Sequence, residues 1–456
     1  MNNSIDQPRN QKPAIKTAIP GPLSQELRRR EDQHLAPGLQ NFALLAGIAV
    51  KEARGSAVTD VDGNTFIDII GGIGVNTLGY GHPEYVQALQ AQAEKICTGS
   101  FTSEPRTALF ERLADHHLSA SLHRVQLYSG GAEAVESALR LAKSYTGKYE
   151  FVSFSGGFHG KTMGVLSLMG SDFKNGLGPM VAGSHIAPYA DCYRCPLKLS
   201  YDSCGLACIE AMRRQIKQNS AGKVAALLVE PMQGTAGNVI PPKEFLPAVK
   251  EVARELDALL IIDEMITGFG RTGKYWGSEH SGVEPDIVTL GKQFGGGFPI
   301  SAIVSTDEIV QSKPWSNPSG SSSSYGGNPL AAAAASACLR IIDEEQLVEN
   351  SRRVGEYFLK KITDWPDRYP FVGDVRGLGL FIGMDLVRDK STKEPLSKTA
   401  CRHIFYECLK RGLLAMTYTH RIRIQPAMTI DEATVDTAVG ILAEVFDKIT
   451  REESWK

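Results

Sequence analysis

The clearest pattern along the chain is a set of short apolar runs that do not alternate: Phe151-Val-Ser-Phe154, Ala225-Ala-Leu-Leu-Val229, Leu259-Leu-Ile-Ile262 and Ile287-Val-Thr-Leu290. Strands buried on both faces read this way, whereas a strand with one wet face alternates apolar and polar positions. Segments of helical periodicity separate them from about residue 76 to 340. The pattern predicts an α/β fold in which helices cover both faces of a parallel sheet. Val58–Asp68 does alternate, across Asp62-Gly63-Asn64, and predicts a hairpin. Ser24–Asp32 predicts a charged, solvated helix, and Ala331–Ala335 a tightly packed one. A new alternation near residue 345 predicts a smaller α+β domain. The expected division is an N-terminal arm and part of the small domain over 1–75, a large domain over 76–340, and the rest of the small domain over 341–456. Residues 1 to about 22 are expected to form a mobile arm, and Ser319–Gly327 a flexible, serine-rich loop.

Composition narrows the partners. The 456 residues carry 49 basic and 51 acidic side chains, a formal charge of -2, which argues against nucleic acid or an anionic membrane as a bulk partner. The start is polar, and the apolar stretch Leu44–Val50 is far too short to span a bilayer, so the expectation is a soluble cytoplasmic protein. Of eight cysteines, four cluster as Cys192, Cys195, Cys204 and Cys208. Zinc or an iron–sulfur cluster can use such spacing. The eight-residue spacer is short for a zinc ribbon and holds no His, which favours reduced thiols or a local disulfide and no metal site.

The candidate chemistry lies at strand ends, where ligands of such sheets bind. Glu230, Asp263 and Lys292 each follow an apolar run closely. A lysine and a carboxylate at two such ends suit pyridoxal phosphate: the amine forms a Schiff base, and the carboxylate holds the ring nitrogen protonated. Tyr128-Ser-Gly-Gly-Ala-Glu133 follows Arg124–Leu127 and opens a helical stretch, leaving small residues and backbone N–H groups for a phosphate. Two nucleotide P-loop near-misses each break the motif. Gly268–Lys274 is followed by Tyr275 instead of a hydroxyl that binds magnesium, and Ser155–Thr162 lacks the first glycine.

The strings SGGAEA, GGFHGKT, EPMQG, DEMITGFGRTGK, TLGKQFGGG and YGGNPLAAA follow one another in the order seen in class III, fold type I aminotransferases. The resemblance covers roughly residues 24 to 445. It implies a large domain with a mostly parallel, seven-stranded-type sheet covered by helices, plus a smaller α+β domain. It also implies pyridoxal 5'-phosphate as cofactor, and a homodimer, or a tetramer built from it, with the active site at the subunit interface. Residue by residue, Lys292 resembles the lysine that holds the cofactor and moves the proton, and Asp263 the partner of the ring nitrogen. Gly131 and Ala132 match backbone donors to the phosphate. Phe158, beside His159, matches the aromatic on one ring face, and Met265 the apolar residue on the other. Ser324 matches a phosphate-binding Thr from the neighbouring subunit, Ile73 an apolar residue of the substrate pocket, and Arg423 the arginine that binds an α-carboxylate. Glu230 matches a glutamate that pairs with that arginine when an amine without an α-carboxylate is bound.

Two departures bear on substrate. Lys161 stands where relatives using γ-aminobutyrate have Arg, and Ile266 where many have Gln. The resemblance thus implies transfer of an amino group from an ω-amino compound or primary amine to a 2-oxo acid, 2-oxoglutarate or pyruvate. An amino-acid racemase or epimerase, which occurs in the same family on the same site, is the alternative.

Overall fold

The computed structural model describes residues 12–116 and 118–456. They form two compact units: Gln87–Val348, and the described part of Met1–Val86 together with Glu349–Lys456.

In Gln87–Val348 the apolar runs become strands of one seven-stranded sheet: β1 (Arg124–Tyr128), β2 (Glu150–Phe154), β3 (Ser184–Ala187), β4 (Val224–Val229), β5 (Leu259–Asp263), β6 (Ile287–Leu290) and β7 (Ser301–Ser305). Their spatial order is β1-β7-β6-β5-β4-β2-β3. All share one direction except β7, which is antiparallel to both neighbours. Helices α1 (Gly131–Thr146), α2 (Ala207–Asn219) and α3 (Phe245–Glu255) cover the sheet. Leu227, Val229, Leu260 and Ile262 pack with Ile209 and Met212 of α2 and Val249 and Val252 of α3. Their strand neighbours Ala226, Leu228, Leu259 and Ile261 pack with Val135, Ala138 and Leu141 of α1. Successive residues thus feed opposite cores, which is why these runs cannot alternate with polar residues. The polyalanine stretch lies within a sixteen-residue helix, Pro329–Glu344, capped by Asn328 Oδ1, which accepts from Ala331 N at 2.9 Å.

In the other unit, the predicted hairpin pairs Ala57–Asp60 with Thr65–Asp68, Val58 opposite Phe66. Asp60 Oδ1 closes its turn by accepting from Asn64 N at 2.8 Å. A second sheet joins Val372–Leu378, Phe381–Asp389, Glu394–Pro395 and Arg421–Ile424. The aromatic side chains of Phe358, Trp365, Phe371 and Phe446 fill the core beside it.

The charged helix is Pro22–Glu31, and its first amides are capped by Asp62, which accepts from Leu23 N at 2.8 Å and Ser24 N at 2.9 Å. Part of the expected mobile arm, 1–11, lies outside the described residues. From residue 12 onward the segment is held. Ala14 exchanges two backbone hydrogen bonds with Thr65, and Asn64 Oδ1 accepts from Lys16 N and Thr17 N. The hairpin turn supplies acceptors that the polar composition of the arm did not reveal. The serine-rich loop is likewise anchored rather than loose at Ser321, whose buried hydroxyl meets Tyr128 Oη at 2.6 Å and Ser137 Oγ at 3.0 Å. No helix among the described residues is long and apolar enough to cross a membrane.

Gly355, inside the helix Leu347–Ile362, lies so close to a turn that a Cβ there would sit 2.1 Å from Gly379 O. Gly355→Ala is therefore expected to lower stability by about 1–3 kcal/mol through overpacking against rigid backbone. Thermal denaturation of the two proteins measures this, and an unchanged or raised Tm would contradict the contact.

Candidate active site

Because β1, β2, β4, β5 and β6 run the same way, their carboxyl ends lie along one edge of the sheet. The residues that follow them are Ser129-Gly130-Gly131, Ser155 to His159, Glu230, Asp263 (the last residue of β5) and Gly291-Lys292. Topology therefore brings together along one edge what is dispersed over more than 160 positions of sequence.

Asp263 is the buried centre of this edge. His159 Nδ1 lies 2.7 Å from Asp263 Oδ2, with both side chains 1% exposed. Facing a carboxylate, that ring nitrogen carries the proton. The second oxygen, Oδ1, accepts from Met265 N at 3.1 Å. Burial works against a charged His159, but the hydrogen bond and charge of Asp263, aided by Glu230, outweigh it and raise the His159 pKa. A carboxylate has about four acceptor positions, so Asp263 retains capacity for a further donor.

Glu230 is also buried and is tied to the loop after β2. Its Oε1 accepts from Phe158 N at 2.9 Å and its Oε2 from Gly234 N at 3.1 Å. Burial is the largest influence and pushes its pKa up, with Asp263 adding to the rise. The charge of His159 and the two amides pull back without reversing it.

Close approaches lock the other parts. A Cβ on Gly160 would lie 2.6 Å from Ala132 Cβ, so the loop after β2 passes directly over the start of α1. A Cβ on Gly131 would sit 3.2 Å from Met265 Sδ, and one on Gly291 at 2.5 Å from the same sulfur. Met265 thus joins the helix start, the end of β5 and the backbone just ahead of Lys292. Lys292 itself has φ +45, a left-handed conformation uncommon for a side chain with Cβ and of the kind that concentrates at functional sites. The first-turn amides of α1, at Gly131 and Ala132, are groups that helix geometry leaves without intrahelical partners. Glu133 Oε2 accepts from Ser129 N and Gly130 N just ahead of them.

Phe158 is half-buried, and its ring meets Phe173 edge-on at 5.7 Å. Lys161 Nζ stands 4.8 Å over the Phe173 ring. Ser324 is exposed, as is Tyr325 beside it. Ile73 and Arg423 belong to the other unit. Ile73 has φ +67, strained for a β-branched residue, on a turn held by Asp68, whose carboxylate accepts from the amides of Ile70, Gly71 and Gly72. Arg423 sits on Arg421–Ile424 opposite Gly383, where its hydrogen bond and charge oppose the burial that raises the Tyr418 pKa.

Sequence reasoning missed three residues of this edge. Phe173 contacts both Phe158 and Lys161. Tyr189 is buried, and its hydroxyl donates to Glu230 O and Pro231 O, each at 3.1 Å. Gln233 Nε2 donates to Ser155 O at 2.9 Å. Gln233 stood inside the EPMQG string, but the other two lie in stretches whose composition carries no chemical signal.

Pyridoxal phosphate fits this donor set. The structure offers helix-start amides for an anion, a buried carboxylate with spare acceptor capacity, a lysine at the next strand end, and flanking Phe158 and Met265.

Removing the imidazole should strand Asp263 in the core. His159→Ala is expected to destabilise the apoprotein by roughly 3–5 kcal/mol near pH 6. The His159 pKa is raised in the folded state, so its contribution is full below the ordinary histidine value and is lost as pH rises through the raised one. The stability gap between wild type and variant should therefore narrow toward alkaline pH. Denaturant melts across pH 6–10 test this, and a gap that widens would contradict it.

The family model for class-III aminotransferases matches residues 41–446. A leucine/methionine racemase of Thermococcus litoralis is 35% identical over 415 residues, 89% of this chain and 90% of that protein. A diaminobutyrate–2-oxoglutarate aminotransferase of Rhizobium meliloti is 33% identical over 89% of each chain. Among solved structures, an amine transaminase from an uncultivated Pseudomonas species, in its pyridoxal-phosphate-bound form, superposes with a TM-score of 0.85 at 31% identity, covering 91% of this chain and 98% of that one. A match from residue 41 to 446 leaves little of the chain outside the family: the protein belongs to the class III aminotransferases and is a pyridoxal-phosphate-dependent transaminase.

Proposed function

We propose that the enzyme moves an amino group from an ω-amino compound or other primary amine to a 2-oxo acid, 2-oxoglutarate or pyruvate, in two half-reactions on one site. The observation that carries the site is the alignment of Lys292, Asp263 and the α1 amides at the ends of co-directional strands. The substrate class is supported by relatives named for diaminobutyrate and 5-aminovalerate, the latter 33% identical over 412 residues, and by the amine transaminase structure.

Gly131 and Ala132 would hold the cofactor phosphate, with Ser324 reaching it from the neighbouring subunit of a homodimer. Phe158 and Met265 would flank the ring, and His159 would orient Asp263 toward the ring nitrogen. When bound, pyridoxal phosphate supplies an electron sink for the carbon losing its proton. The chain's own residues do the rest. Asp263, fixed by His159 Nδ1 and Met265 N, keeps a proton on the nitrogen it faces. Lys292 Nζ takes and returns the proton of the reacting carbon. Arg423 binds the α-carboxylate of the keto acid, for which a planar, two-pronged donor is suited. Glu230 serves the half-reaction whose substrate lacks that carboxylate. Ile73 and Lys161 line the substrate side. Exposed apolar side chains such as Phe101 and Tyr325, 90% and 64% exposed, support a homodimer with the site at its interface.

A second reading, an amino-acid racemase or epimerase, has the similarity to the leucine/methionine racemase in its favour. Assay of an amine panel with 2-oxoglutarate and pyruvate, with chiral analysis of any α-amino acid supplied, separates the two. Transfer without inversion is expected, and inversion without transfer would replace the first reading by the second.

Borohydride treatment of the holoenzyme should fix the cofactor on Lys292, and Lys292→Ala should lose turnover. A label on any other lysine would contradict the assignment. In single-turnover kinetics, Arg423→Lys should slow the keto-acid half-reaction more than the amine half-reaction. The loss of about 1.5–3 kcal/mol corresponds to roughly tenfold to over a hundredfold. Glu230→Gln should show the reverse bias. Equal losses in both halves for both variants would mean that the two residues only support structure.

A further inference from the structure

Three of the four clustered cysteines lie on a strap between β3, the edge strand, and α2, and the fourth, Cys208, lies in the first turn of α2. The strap holds short local turns, in which Lys198 N donates to Cys195 O at 3.0 Å, Ser203 N to Ser200 O at 3.2 Å, and Arg194 N to Asp191 Oδ1 at 3.2 Å, and it is tied outward by Tyr201 Oη, which donates to Glu244 Oε2 at 2.9 Å. Its path is strained, with left-handed backbone at Lys198 (φ +57) and Leu206 (φ +55) and a tight turn at Gly205. This path folds the second half of the strap back on the first. As a result Cys192, Cys195, Cys204 and Cys208 all line one cavity of about 20 Å³, room for roughly a single water, together with Tyr189 and Leu206.

No group of three or more His, Cys, Asp and Glu side chains among the described residues is arranged to hold a metal ion. All four cysteines are free thiols. Burial is the first cause that pushes the Cys192 thiol up to about 11, followed by Cys204, then Cys208, and only then Cys195, its neighbour in sequence. Cys192, on the first half of the strap, and Cys204, on the second, thus line the same cavity from opposite halves.

We propose that Cys192 and Cys204 form a reversible disulfide across this cavity, a redox site separate from the transamination chemistry. The oxidant is a low-molecular-weight disulfide. A thiolate of the strap attacks one of its sulfurs, breaking that S–S bond and releasing one small thiol. The second strap cysteine then displaces the other small thiol, so that two S–H bonds are replaced by one S–S bond and two electrons and two protons reside on the released thiols.

The bond would clamp the strap where it joins the sheet edge. Tyr189, on the cavity wall, donates its hydroxyl to the backbone of Glu230 and Pro231, so the clamp lies behind the end of β4. Closing this loop should raise the melting temperature by a few degrees, through the lost freedom of the unfolded chain.

The test uses the full-length holoenzyme, reduced and then equilibrated with glutathione disulfide, alkylated and mapped by mass spectrometry, with zinc measured on the protein as purified. The expected result is a cross-linked Cys192–Cys204 peptide with loss of two of the eight thiols per chain, reversed by dithiothreitol and absent in both Cys192→Ser and Cys204→Ser. The mapping is made on the unsubstituted chain and does not depend on either variant folding. Four clustered thiols that all remain alkylatable, a bridge between Cys192 and Cys195, or one zinc per chain shielding the thiols would each overturn the proposal.

Discussion

A carboxylate held at 1% exposure at the end of a central strand is expensive to bury, and the fold around it is arranged to meet that cost. Asp263 is compensated by an imidazole from a loop 104 positions away and by an amide two residues on. Because the imidazole is itself buried, neither partner can be satisfied by water if the other is lost. The loop after β2 must therefore lie over the end of β5. From that position it meets the start of α1, with Gly160 against Ala132, and presents the Phe158 amide to Glu230. Met265, immediately beyond the carboxylate, then wedges between Gly131 and Gly291 and fixes the backbone that carries Lys292. The spacing among the α1 amides, Asp263 and Lys292 follows from one buried ion pair.

The sheet makes that arrangement rigid. β2, β4 and β5, which lead to His159, Glu230 and Asp263, are packed on both faces, so shifting one would disturb two cores. Chemistry is thereby placed on short segments anchored in dense packing, as preorganised catalysis requires.

Much of this was legible in the sequence because its causes are local. Non-alternating runs such as Ala225–Val229 and Leu259–Ile262 mark strands buried on both faces, and Asp263, Glu230 and Lys292 stand where such strands end. The Asp62-Gly63-Asn64 hairpin was equally readable. What escaped depends on distant partners. β7, Ser301–Ser305, is short and follows a glycine-rich turn, and nothing local says that it inserts antiparallel between β1 and β6. The His159–Asp263 pair is a contact between separate motifs, and Tyr189 acts through backbone carbonyls that any residue could offer. The segment after residue 11 looked mobile because its anchor, Asn64, lies in another element.

The central claim is that Asp263, oriented by His159, keeps a proton on the cofactor's ring nitrogen. The direct measurement is the ¹⁵N NMR shift of ring-labelled pyridoxal phosphate bound to the wild-type enzyme, to Asp263→Asn and to His159→Ala. The account predicts a protonated nitrogen in the wild type, an unprotonated one in Asp263→Asn, and an intermediate, more pH-sensitive signal in His159→Ala. A ring nitrogen that is unprotonated in the wild type, or equally protonated in all three, would contradict it.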